Sequence, residues 1–325
     1  MTHVLKTIVA AILLAAASAA YAQSGDGAQL AQANAALQAG EADKALAILN
    51  PLIASGKAEA HNLRCRVELG VGQWDRAASD CEEAVKRDGQ SSDNHMWLAR
   101  ALGEKASRAS FLSAYSLGKR VRVEFETAAK LNPGNGAALA DLGQFYYEAP
   151  GVVGGGTDKA EAVAAQLDKF DPVRAHELRA AIAEARKDYG TAEREFKEAI
   201  AKSPHSAFQW ISLAGFYRRR ERWTEMETAV HTGQIAAEKD KHAAPALYNG
   251  ANVLRTSGRN TQMGAKMLEE YLASPNKSED APAFVAHAWL ARFKEQLGDS
   301  AAAARERAAA QQLAHEYRFS MDGKH

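Results

Sequence analysis

The densest run of charge in the chain is Arg218-Arg219-Arg220-Glu221-Arg222. Arginine's planar fork meets a carboxylate through two parallel hydrogen bonds, so clustered guanidinium groups suit an acidic ligand. The plain alternative is a solvated helix end, where cations offset the negative end of the helix dipole. A second candidate is the loop Gly154-Gly155-Gly156-Thr157-Asp158-Lys159, because glycines let backbone N–H groups approach an anion at a helix start. It matches neither GxxxxGK[ST] nor GxGxxG and follows no strand, so Thr157 or Asp158 is expected to act as the N-cap of the next helix. The ten histidines are scattered, none in an HExxH, CxxCH or GxSxG setting. His205 follows Pro204 and reads as a loop residue, whereas His176 and His287 occupy helix-packing positions. No pair of carboxylates is placed for acid–base work, so the expectation is no enzyme, no cofactor and no metal.

The elements that would position these residues repeat. Trp210, Leu213, Ala214 and Tyr217 stand at i, i+3, i+4 and i+7, which is one face of a helix. A degenerate copy, His176, Arg179, Ala180 and Ala183, lies 34 residues earlier. The following helices agree better: Ala192, Phe196, Ala199 and Pro204 recur as Met226, Val230, Gly233 and Glu238. A large residue, Tyr189 or Trp223, sits just after each inter-helix turn. Two helices per period, alternating small and large residues and a terminal Pro resemble the tetratricopeptide repeat (TPR). Each such hairpin has apolar faces too wide to cover each other, so neighbours must stack to bury them.

The resemblance covers about residues 26–313. Leu30, Ala33, Asn34 and Leu37 open the first unit, which turns at Gly40; the second turns at Gly72 before Trp74. In the third unit, opened by Trp97, Leu98, Ala99 and Leu102, the second helix arrives about ten residues late, ending in Phe125, Ala128, Leu131 and Pro133. The fourth carries an insertion, Ala149-Pro150-Gly151-Val152-Val153-Gly154-Gly155-Gly156. Units seven and eight turn at Gly258 and Gly298. The expected fold is therefore all-α: a right-handed α-solenoid of about eight TPR-like hairpins over residues 23–315. Insertions fall near 107–118 and 149–156, and residues 316–325 form a flexible tail. The segment from Leu112 to Gly156 resembles that of a group of exported bacterial TPR proteins, which sharpens the fold and not the function.

Residues 1–22 read as a Sec-type signal peptide, with Lys6, an apolar run from Ile8 to Ala20 and the small-x-small site Ala20-Tyr21-Ala22. The run is shorter than the roughly 20 residues a bilayer requires, and no cysteine near the site offers lipid attachment. The expected address is the bacterial periplasm, with no membrane span. Cys65 and Cys81 are the only cysteines and fall on the two helices of the second hairpin. In an oxidising compartment they permit a disulfide; two buried thiols at small-residue positions is the alternative. Zinc is not expected, since His61 is the nearest histidine and four ligands are not in sight. Formal net charge is 0, so no global field draws the chain to nucleic acid or to an anionic membrane.

In TPR arrays the first helix of each hairpin lines the concave groove. Projecting those helices gives Arg100, Gln144, Tyr147, Phe208, Arg218, Arg219, Tyr248, Asn252, Arg255 and Arg292 as groove residues. Arg is prominent and Asn supplies the paired donor and acceptor that clamp a peptide backbone, so the resemblance implies a non-enzymatic scaffold for an acidic or C-terminal-carboxylate segment of an envelope protein. The alternative is a small-molecule or glycan pocket where the insertions fold over the groove, near Phe111, Tyr115, Tyr146 and Tyr147. The oligomeric state stays open: a sticky terminal repeat favours end-to-end association, and Arg305, Glu306 and Arg307 in the last repeat oppose it.

Overall fold

The computed structural model describes residues 25–317, and the signal-peptide reading lies outside them. Sixteen α-helices pair into eight antiparallel hairpins. They are α1 (25–39) with α2 (Ala42–Ile53), α3 (Ala58–Gly70) with α4 (Trp74–Arg87), α5 (Ser92–Ala106) with α6 (Phe111–Leu131), and α7 (Gly136–Glu148) with α8 (Thr157–Leu167). The second half comprises α9 (Pro172–Ala185) with α10 (Tyr189–Lys202), α11 (Ala207–Arg219) with α12 (Trp223–Glu238), α13 (Ala244–Ser257) with α14 (Thr261–Ala273), and α15 (Ala283–Gln296) with α16 (Ser300–Leu313). The fold is thus the expected all-α array of TPR-like hairpins.

Small residues set the helix spacing. Ala180, Ala192 and Ala199 are fully buried, and Phe196 fills the gap beside them against Phe216 at 5.5 Å between ring centroids. Seven of the eight hairpin turns carry a residue in the left-handed region; the turn of the third, 107–110, does not. Gly40, Gly72, Gly258 and Gly298 supply it at four turns, whereas Lys187 (φ 63°) and Glu221 (φ 56°) adopt it in the fifth and sixth hairpins with a Cβ in the way.

Four of the scattered histidines form a repeated latch. His61–Asp80, His176–Glu195 and His287–Glu306 are each 19 residues apart and join the two helices of one hairpin at 2.8, 2.8 and 2.6 Å. His95–Glu124 is the same bond in the third hairpin at a separation of 29, so the late second helix, 21 residues against 14 in the other three hairpins, takes up most of the extra ten residues and keeps its register. The extra residues extend α6 at its start. In the second hairpin Cys65 and Cys81 form a disulfide, with Cα atoms 5.4 Å apart and both sulfurs buried. The expected N-cap at Thr157 or Asp158 is not found: α8 begins at Thr157 without a side-chain cap, and the loop is closed instead by Gly156 N–H donating to the Tyr146 carbonyl (2.7 Å) and Lys159 Nζ to the Gly154 carbonyl (2.8 Å).

The array closes on itself. The His315 backbone N–H and Nδ1 meet the Asp43 carboxylate at 3.0 and 2.8 Å, and Arg76 Nη1 donates to Glu316 at 2.9 Å. One continuous apolar core runs from Leu30, Leu63 and Val67 of the first hairpins to Phe284 and Ala314 of the last. Gly40 makes this possible: a Cβ there would lie 2.2 Å from the Ala283 nitrogen. The faces expected to make an open solenoid sticky therefore cover each other. Glu316 and Tyr317, at the start of the expected flexible tail, are packed, Tyr317 edge-on against Phe284 at 4.9 Å. The rest of the tail lies outside the described residues.

Candidate functional site: the concave lumen

The first helices of the hairpins face the inside of the closed array, and the α14–α15 loop (274–282) stands within it. Its base is fixed by the buried Tyr271 hydroxyl, which donates to the Ala281 carbonyl. Its tip carries Glu279 and Asp280. Gln38 Nε2 on α1 donates to Glu279 at 2.9 Å and the Glu279 N–H returns a bond to Gln38 at 3.3 Å. Arg66 on α3 grips the same carboxylate with Nε (2.8 Å) and Nη2.

Around this loop the lumen divides in two. On the α3–α5–α7 side, Trp97 lies between two guanidinium groups, Arg66 at 5.1 Å and Arg100 at 4.4 Å from its ring centroid. Arg100 Nε donates to Asp141 at 2.6 Å. A cavity of about 710 Å³ opens here, walled by Trp74, Trp97, Phe145, Gln144, Glu148 and Asp280 among others. Both arginines in it are neutralised. Burial pushes the Asp280 carboxyl up, with Glu279 and Asp141 adding to the effect and Arg100 and Arg66 opposing it.

On the α11–α13–α15 side the balance is reversed. Arg218, Arg255 and Arg292 recur at equal 37-residue intervals on successive first helices. None of the three forms an ion pair among the described residues, in contrast to Arg219, which holds Glu184 through two bonds of 2.8 Å. Burial, then the Arg292 and Arg218 charges, push Arg255 below its ordinary value; burial and Arg219 do the same to Arg218. These are like charges crowded at one site, and an incoming anion would relieve them. Beneath them lies an aromatic base: Tyr248 stacks on Trp289 (4.4 Å, 22°), and Arg255 covers the Trp289 ring at 4.6 Å. Asn252 Oδ1 accepts from Arg255 Nε and Nη2 at 3.2 and 2.8 Å, which aims the fork.

The sequence-derived residues separate accordingly. Arg218, Asn252, Arg255 and Arg292 belong to the uncompensated side, while Arg100 and Gln144 line the first cavity. Phe208 lines a second cavity of about 520 Å³ with His242, Asn249 and the loop. Tyr147 lies near Glu148, Glu184 and Arg219, and burial raises its phenol above the ordinary value. Tyr248 is a correction: it is 7% exposed and supports Trp289 from below instead of facing a ligand. Within the Arg run, Arg218 alone has no partner among the described residues; Arg220 covers Tyr189 at 4.2 Å, and Arg222 pairs with Glu193 at 2.5 Å and covers Tyr217.

The insertion-walled pocket is also corrected. Neither insertion lines either cavity, and Phe111, 84% exposed, points away from any enclosure. Trp97, Trp289, Arg66, Asp141, Glu279 and Asp280 were not anticipated. One signal was available: Trp97-x-x-Arg100 and Trp289-x-x-Arg292 place the same pair one helical turn apart in the third and eighth units. Among the described residues no group of three or more His, Cys, Asp or Glu is arranged to hold a metal ion, and no helix is long and apolar enough to cross a membrane.

Eight successive helix pairs with small-residue contacts, seven of them with a left-handed hairpin turn, define the fold as a TPR-like solenoid. No family model matches the chain. It is 26% identical over 158 residues to Hsp70-Hsp90 organizing protein 1 of Glycine max, an alignment that covers 48% of this chain and 26% of that protein. The chain thus aligns with about a quarter of that relative's length. Among solved structures, a thermophilic TPR protein of Thermus thermophilus superposes with a TM-score of 0.50 at 17% identity, over 59% of this chain and 98% of that one. PilF of Pseudomonas aeruginosa follows at 0.41 and 13%, over 80% and 94% of the two chains.

Proposed function

We propose that the protein is a non-enzymatic scaffold of the bacterial envelope that holds an acidic or C-terminal-carboxylate segment of a partner protein in its lumen. The observation that carries this reading is the trio Arg218, Arg255 and Arg292, three guanidinium groups on one wall of the lumen that form no ion pair among the described residues. Arg255 and Arg292 supply bidentate forks, Asn252 orients the first of them, and the Tyr248–Trp289 stack supports the Arg255 guanidinium from below. A preformed array of rigid helices positions these groups before the ligand arrives, which limits the ordering cost of binding. The protein-binding role agrees with the name of the curated relative, an organizing protein. The export address rests on the signal peptide read in residues 1–22.

The test is a crosslinking pull-down from envelope extract, comparing wild type with Arg255→Glu/Arg292→Glu. The reading expects specific envelope proteins on the wild type that are absent from the variant. Equal capture by both would contradict it, because the arginine wall would then be only a solvated face.

A further inference from the structure

A surface helix ordinarily turns its apolar residues inward, and the first turns of α6 do the opposite. The helix buries only Val121, Phe125 and Ala128, all in its later part. Phe111 and Leu112, adjacent at its start, are 84% and 78% exposed, and Tyr115 one turn on is also exposed. The short turn Gly151–Val153 joins them: Val153 lies 3.3 Å from the position of a Cβ on Gly118, which brings the exposed Val152 alongside the same helix. The lengthened third hairpin and the insertion in the fourth therefore meet along α6, and Phe111, Leu112 and Tyr115 form an exposed apolar tip at its start, outside both cavities of the lumen.

Along the chain, the residues that build the tip carry charge of one sign, although Glu104, Glu126 and carboxylates of the neighbouring helix α4 pair with several of them. Residues 105–122 contain Lys105, Arg108, Lys119, Arg120 and Arg122 and no Asp or Glu, a local concentration that a net charge of 0 conceals. Lys119 has no carboxylate partner among the described residues and rests over the Tyr115 ring at 4.3 Å. Lys105–Asp75, Arg108–Glu104 and Arg120–Glu82 are exposed pairs, of the kind that contribute little and exchange readily for another anion. No acidic residue occupies the first turn of α6.

We propose that this tip docks the protein on an anionic lipid surface, with Phe111 and Leu112 entering the headgroup boundary and the surrounding cations meeting lipid phosphates. The dimensions favour a bilayer over a second copy of the chain. Three or four protruding side chains offer a few hundred Å², whereas a stable dimer buries about 800 Å² on each partner. A fluid bilayer needs only the tip, and it supplies the apolar phase and the negative charge together.

The experiment is co-sedimentation of the purified protein with vesicles of phosphatidylcholine alone and of phosphatidylcholine with phosphatidylglycerol. Wild type is expected to sediment with the anionic vesicles and much less with the neutral ones. Phe111→Ser/Leu112→Ser and, separately, Lys119→Glu/Arg120→Glu each lower the bound fraction by about tenfold at equal lipid. All four positions are exposed, so thermal melting of both variants is expected to match wild type. The proposal fails if wild type stays in solution with anionic vesicles, or if both variants sediment as well as it does. It also fails if sedimentation velocity shows a dimer that Phe111→Ser/Leu112→Ser dissolves, since the occupant would then be a second copy.

Discussion

The two walls of the lumen are built alike and charged differently. Each presents a tryptophan under an arginine, Trp97 under Arg100 and Trp289 under Arg255. On the α3–α5–α7 wall every arginine is answered from within: Arg66 by Glu279 and Arg100 by Asp141. On the α11–α13–α15 wall Arg218, Arg255 and Arg292 are not. Removing one member of a neutral pair leaves its partner with an unmet charge, so the first wall is bound up with stability. Removing an unpaired arginine relieves repulsion, so the second wall is free to serve a ligand.

The largest effect is expected where the array closes, because closure brings Glu279 to Arg66. Gly40→Ala forces a left-handed backbone on a residue with a Cβ and drives that Cβ into the Ala283 backbone. The combined cost is about 2–5 kcal/mol, read as a lower midpoint in urea, with a larger radius of gyration in small-angle scattering as the first and last hairpins part. An unchanged radius would mean that closure does not depend on this contact.

Next in size is the contrast between the walls. Arg66→Ala leaves Glu279 without its cation and is expected to cost about 1–3 kcal/mol, whereas Arg292→Ala changes stability by less than about 0.5 kcal/mol. Similar losses in the two denaturation curves would erase the distinction.

A pH experiment probes the structural side alone. Glu68 on α3 is buried beside Asp80, and burial pushes its carboxyl up to about 8 despite Arg76 and Arg64. Its folded value exceeds its unfolded one, so the folded state holds the proton more tightly and stability falls as pH rises from about 4.5 to 8. His95, raised by its bond to Glu124, acts in the same direction: its contribution is present at low pH and is lost as pH rises through its folded value. Glu68→Gln removes the first effect, so the melting-temperature difference between variant and wild type should widen in the variant's favour between pH 5 and pH 8.5. The smallest effect is a gain: Glu221→Gly at the sixth hairpin turn relieves the left-handed conformation and adds about 0.5–1 kcal/mol.

The array itself was legible because its cause is local. A small residue where helices touch, an aromatic beside it and a turn residue two before the next helix repeat in Ala180, Ala192, Phe196 and Gly72, and local spacing carries them. The second wall was legible for the same reason, since Arg218, Arg255 and Arg292 follow from helix projection. The first wall was not. Arg66 meets Glu279 across 213 residues, and that contact depends on the curvature summed over all eight hairpins, which no single repeat encodes. Tyr248 was misplaced for a related reason: projection gives the face of a helix, and a bulky neighbour such as Trp289 then decides how deep that face lies.

The central claim is that only the uncompensated wall binds an anion. The direct measurement is fluorescence anisotropy of a labelled acidic peptide titrated with wild type, with Arg255→Glu/Arg292→Glu, and with Arg100→Gln as the variant of the neutralised wall. The account predicts saturable binding to wild type that weakens with salt, is lost in the first variant and is kept in the second. Binding that survives Arg255→Glu/Arg292→Glu, or that disappears with Arg100→Gln alone, would contradict it.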